Sequence, residues 1–173
     1  MKHLLTLRDE DLFENVTNLS PEGWFRRRAV RAVLLGEGDG VYLLHMSARG
    51  YHKLPGGGIN KDESVEEALL RELLEEIGCP AVVQDELGEI VEYRNQEEME
   101  QHSYCYIAMQ SGPLVNTALG EGEIDAGARP VFIKSIDEAI SLLESDTPES
   151  YEGRFIRQRD LMFLREVKSL RKV

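Results

Sequence analysis

The chain has 173 residues, 42% hydrophobic and 30% charged, with a formal net charge of −12. That length suits one domain spanning residues 1–173, and the balance is globular, with no apolar run long enough for a membrane span. Such acidity argues against binding long nucleic acid, whose affinity is built from clustered Lys and Arg, and the start MKHLLTLRDEDLFEN lacks a signal-peptide core, so a cytoplasmic location is expected.

Residues 1–24, with Pro21, Gly23 and only short apolar pieces, are an N-terminal extension with room for one short strand. A core follows over 25–145. Arg28 to Leu35 and Val41 to His45 are apolar runs around the glycine-rich turn 36–40, which predicts a hairpin, and Tyr51 to Leu54 adds a short extended piece. Ser64 and Glu67 form a capping box and Gly78 with Pro80 a stop, so a helix is expected over Val65 to Ile77. Ala81 to Tyr93 reads as strand, Asn95 to Gln101 as a polar loop, and His102 to Met109 as a buried strand by its alternation. Gly112 to Arg129 is a long loop, of the kind that is often functional, and Pro130 to Ile133 a last strand. Ser135 with Glu138 caps a helix to about Leu143. Residues 146–173 end the chain with an amphipathic helix from about Arg154 to Leu170, whose stripe is Phe155, Leu161, Phe163, Leu164, Val167 and Leu170. Cys79 and Cys105 fit neither a disulfide framework nor a zinc spacing and are assigned to packing.

The chemistry concentrates between Gly57 and Cys79. On the expected helix Glu72, Glu75 and Glu76 fall within about 100° of one another, beside the apolar Leu69, Leu73 and Ile77. Like charges at these spacings repel, so the arrangement makes sense if a hard divalent cation neutralises it. The glycines before the helix let the backbone approach a ligand, and Arg71 can pair with Glu63 to tie loop to helix. Most of the other acidic residues are assigned to solvated surface.

The full spacing is G-x5-E-x7-R-E-U-x-E-E-x-G-U, with U apolar and Cys79 in the last place. Chance would produce it on the order of once in a hundred million starts at roughly 7% usage per residue type. The pattern resembles the signature of the Nudix hydrolases (MutT-like). That resemblance implies an α/β/α sandwich with a mixed β-sheet, here with an N-terminal extension and a C-terminal helix. It also implies dependence on Mg²⁺ or Mn²⁺ and hydrolysis of a nucleoside diphosphate linked to another moiety. By match to the motif, Glu72, Glu75 and Glu76 would hold metal, Glu63 and Arg71 would be structural partners, and Gly57 would shape the loop. The base would be Glu72, which we prefer, or a late-loop acid among Glu121, Glu123 and Asp125. Gly57, Gly58, Arg28 and Lys53 are the candidate substrate-binding positions. Around them, Arg26, Arg27 and Arg31 are further phosphate candidates, with surface charge flanking a strand as the competing reading, and His45, Tyr51, Tyr104 and Tyr106 could line a base or ribose pocket, with packing in the core or on the sheet as theirs. The expected partner is a small-molecule nucleotide, with a nucleoside triphosphate preferred. ADP-ribose or another nucleoside diphosphate sugar is the alternative, and a non-catalytic binding module is the rival class. A homodimer is left open, with the N-terminal extension and the final helix as candidate contacts.

Overall fold

The computed structural model describes residues 1–171. Its strands are β1 (His3–Arg8), β2 (Phe25–Leu35), β3 (Val41–Met46), β4 (Tyr51–Lys53), β5 (Ala81–Arg94), β6 (Met99–Gln110) and β7 (Ala128–Ile133). The helices are α1 (Val65–Ile77), α2 (Glu121–Asp125), α3 (Ile136–Ser145) and α4 (Tyr151–Leu170). All seven strands join one sheet in the order β1-β5-β6-β2-β3-β4, with β7 also paired to β3. β1 runs parallel to β5 and β2 parallel to β6, while the other pairs are antiparallel, so the sheet is mixed.

Alternation along β2 sorts the layers. Val30, Ala32 and Leu34 pack with Ala68, Leu69, Leu73 and Ile77 of α1. Val33 and Leu35 point the other way, into a cluster with Ile140 of α3 and Phe155, Phe163, Leu164 and Val167 of α4. Both faces are therefore covered by helices, and the α/β/α sandwich expected from the pattern is present. Among the described residues no helix is long and apolar enough to cross a membrane. Cys79 and Cys105 are both buried and free.

Several boundaries differ from the sequence reading. The short strand allowed for in the N-terminal extension is present as β1, and what the sequence did not show is its pairing along β5. Met99 to Gln101, read as loop, opens β6, because its polar side chains find partners on neighbouring strands: Arg26 donates to Glu100 at 3.2 Å, and Gln101 to Glu92 at 2.5 Å. The long loop contains α2 and the start of β7, and its first part caps α1 through Val115 N–H to Gly78 O and Ala118 N–H to Glu75 O, both 2.8 Å. α4 begins at Tyr151 because Ser150 accepts from Gly153 N–H. Its stripe omits Leu170, which is exposed, and includes the charged Arg159 and Asp160. α1 starts and stops where the sequence places it, with the reciprocal Ser64–Glu67 box and a left-handed Gly78 at its end.

β2 and β3 pair only at Leu34–Tyr42 and Leu35–Val41, then part. The segment after β4 lies in the opening, with Val30 N–H bonded to Gly57 O at 2.9 Å, Ala32 N–H to Pro55 O at 3.0 Å and Ile59 N–H to Arg28 O at 3.1 Å. The glycine loop thus takes the place of a neighbouring strand along the first half of β2.

Candidate active site

Close approach to β2 dictates the loop's composition. Gly56 has φ +134, a conformation that L side chains rarely adopt, and a Cβ there would run into Val30 O. A Cβ on Gly57 would lie 2.5 Å from Glu72 Cδ, so the Glu72 carboxylate sits directly against the bare backbone of the loop.

Arg71 organises the acids. Its Nε and Nη2 donate to the two oxygens of Glu63 at 2.7 and 3.0 Å, and Nη2 also donates to Gly58 O at 3.1 Å. Nη1 reaches Glu72 Oε1 at 2.8 Å and Glu75 Oε2 at 3.1 Å. Five contacts use the five N–H groups of a guanidinium, a fork that lysine could not reproduce. Hydrogen bonding to Arg71 holds the Glu63 carboxyl down at about 2. Glu72 moves the other way: burial raises its pKa and the neighbouring charge of Glu76 adds to the effect, although Arg71 opposes it. Glu76 turns from this group toward the loop, accepting from Lys53 Nζ at 2.9 Å and Gly56 N–H at 2.6 Å.

A buried polar layer braces the loop from the α4 side. Leu54 N–H donates to Asp160 Oδ2 at 2.8 Å, Asp160 Oδ1 accepts from Arg159 Nε at 2.8 Å, and Arg159 reaches Glu92 at 3.3 Å. Burial would raise the Glu92 carboxyl, but Arg94 and Arg159 hold it at about 2. Arg31 donates to Val30 O at 2.6 Å and Gly57 O at 3.3 Å, and burial followed by repulsion from Arg159 lowers it to about 10. Arg31 Nη1 therefore braces the loop, and the side chain is buried, which corrects the reading of it as surface charge beside a strand. Beside Gly58, by contrast, Arg26, Arg27 and Arg28 line a cleft of about 360 Å³ with Phe25 and Ile59. Arg27 is held there by Gln101, and the Arg28 guanidinium lies 5.6 Å from the Tyr104 ring centroid.

The candidates are thus divided. Glu63, Arg71, Glu72 and Glu75 form one hydrogen-bonded group at Gly57 and Gly58, Lys53 and Glu76 form a pair beside it, and Arg28 opens onto the adjoining cleft. Tyr51 is buried in the core, Tyr106 packs against the α1 cluster, and His45 stacks on His52 at 4.5 Å. Glu121, Glu123 and Asp125 lie on α2, and none is hydrogen-bonded to the box among the described residues. The brace formed by Glu92, Arg159 and Asp160 was missed. Its signal was present, two charged residues inside the apolar stripe of α4.

A model of the NUDIX domain matches residues 25–159. The chain belongs to the Nudix family. As a Nudix protein it is a hydrolase of phosphoanhydride bonds in nucleotide-like substrates, in a family that generally depends on Mg²⁺. No curated protein matches the chain significantly. Solved structures that share the Nudix fold include a MutT protein from Methanosarcina mazei Go1, 23% identical over 84% of this chain and 98% of that one, with TM-score 0.56. An ADP compounds hydrolase is 22% identical over 84% and 73%, with TM-score 0.58. The E. coli ORF135 protein is 20% identical over 84% and 91%, with TM-score 0.57. At these identities the likeness is one of fold.

The Nudix acids fit a hard cation in chemistry, since Glu72 and Glu75 converge on one nitrogen and burial disfavours the charge of Glu72 when nothing further neutralises it. Among the described residues no three acidic, histidine or cysteine side chains are already gathered around one point.

Proposed function

We propose that the chain hydrolyses a nucleoside triphosphate, oxidised bases included, to the monophosphate and pyrophosphate. The observation that carries this reading is the meeting of opposite charges at adjacent glycines: Glu72 lies against Gly57, and the cleft of Arg26, Arg27 and Arg28 is closed by Gly58. A polyphosphate lying across that junction would face acids on one side and arginines on the other, and charge-assisted bonds from Arg27 and Arg28 suit its phosphate oxygens. Glu72, Glu75 and Glu76 would hold Mg²⁺ or Mn²⁺, which supplies charge neutralisation and an acidified water when bound. Arg71 orients Glu72 and Glu75, and Arg27 and Arg28 bind phosphate oxygens. Glu72, whose pKa is raised by burial, accepts the proton of the attacking water.

A second reading is cleavage of ADP-ribose or another nucleoside diphosphate sugar, and an ADP compounds hydrolase is among the proteins that share the fold. A phosphate-release screen with Mg²⁺, coupled to pyrophosphatase for triphosphates and to phosphatase for sugar derivatives, separates the two. Pyrophosphate release from a triphosphate is expected, and Glu76→Gln should reduce it by orders of magnitude while leaving the fold intact. Release only from diphosphate sugars would overturn the substrate choice, and near-normal turnover of Glu76→Gln would overturn its role.

A further inference from the structure

Glu76 already has a cation beside it. Lys53 Nζ lies 2.9 Å from Oε1, Gly56 N–H lies 2.6 Å from Oε2, and the two side chains are only 11% and 4% exposed. Glu72 and Glu75, by contrast, each give one oxygen to Arg71, leaving Glu72 Oε2 and Glu75 Oε1 without a hydrogen bond among the described residues. We infer that Lys53 competes with the divalent cation for Glu76, so that in the resting enzyme Glu72 and Glu75 are open to the cation and Glu76 is masked. This rests on the proposed role of Glu76 as a ligand.

The chemistry of lysine suits such a part. Its ammonium is a point charge on a flexible four-carbon stem, so it can leave Glu76 without moving the backbone, which the bond from Leu54 N–H to Asp160 holds in place next door. A buried ion pair cannot part without replacements for both members, so Lys53 leaves Glu76 only when a divalent cation takes its place and the ammonium finds another acceptor. A substrate phosphate oxygen is the natural acceptor for the displaced ammonium, which makes substrate binding the event that unmasks Glu76.

The test is Mn²⁺ binding to the metal-free protein without substrate, read by the electron paramagnetic resonance of free Mn²⁺. Glu76→Gln should bind Mn²⁺ within about twofold of the parent, because a masked carboxylate contributes nothing to lose. Lys53→Met should bind roughly tenfold or more tightly than the parent, since the cation then relieves an unpaired buried carboxylate, and adding Glu76→Gln to it should abolish the gain. A loss of roughly tenfold in Glu76→Gln alone would overturn the inference, as would parent-like binding by Lys53→Met. Should Lys53→Met fail to fold, the Glu76→Gln comparison decides. The catalytic reading fails on turnover of Glu76→Gln, whereas the masking role fails on resting Mn²⁺ affinity, so the two failures are distinct.

Discussion

Replacing Gly57 by alanine should impair catalysis more than folding. The new Cβ would lie 2.5 Å from Glu72 Cδ and 2.6 Å from Oε2, so the carboxylate must retreat by about 1 Å to reach ordinary contact. A displacement of that size at a reacting centre costs about 10²-fold in rate. Stability should fall by only about 1–2 kcal/mol, because at most one charge-assisted bond to Arg71 is weakened and alanine restricts the unfolded chain. The neighbouring glycines calibrate the effect. Gly56→Ala meets backbone, with Val30 O inside contact and Arg31 Cα at 2.9 Å, and combines this with φ +134. It should cost about 3 kcal/mol or more, a melting-point loss of roughly 6–12 °C for a chain of this size. Gly58→Ala meets only Arg27 Nη2 at 3.7 Å and should change stability by less than about 0.5 kcal/mol. Thermal denaturation and steady-state kinetics on the three variants would check the series. Turnover of Gly57→Ala within about threefold of the parent would refute the placement of Glu72, as would a melting-point loss equal to that of Gly56→Ala.

Glu72→Gln should abolish turnover yet stabilise the metal-free protein at neutral pH. The folded pKa of Glu72 is raised above its ordinary 4.5, so its charge opposes folding above that range, and the advantage of the variant should shrink as denaturation in a chelator is repeated at falling pH. Asp160→Ala removes a fully buried acceptor of Leu54 N–H and the partner of Arg159, and should lower stability by about 3–5 kcal/mol in a denaturant titration; a loss under about 1 kcal/mol would contradict the brace. Burial lowers the pKa of His102, but bonds to Glu89 at 2.7 Å and Glu100 at 2.8 Å outweigh it and raise it above its ordinary 6.5. Its contribution is therefore complete below 6.5 and lost as pH rises through the folded value, so His102→Gln should be costlier at about pH 6 than at about pH 9.

What the sequence determined by itself is local. The capping box of α1, its glycine stop, the shared flank of Glu72, Glu75 and Glu76, and the tie from Arg71 to Glu63 eight residues earlier all follow from helix geometry over a few turns. Strand alternation was equally readable along His102 to Met109 of β6, where Ser103 and Cys105 are buried. It failed at Met99 to Gln101, where polar side chains are satisfied by partners on other strands. The remaining arrangements depend on sheet register, which no local pattern carries. Tertiary structure alone decided that the strand of the N-terminal extension pairs with β5, that Arg31 braces the loop while Arg26, Arg27 and Arg28 face a cleft, and that Glu76 meets Lys53. It also decided that Asp160, 106 residues beyond Leu54, holds the loop's backbone, because charges so far apart in the chain become partners only when a helix is laid across a finished sheet.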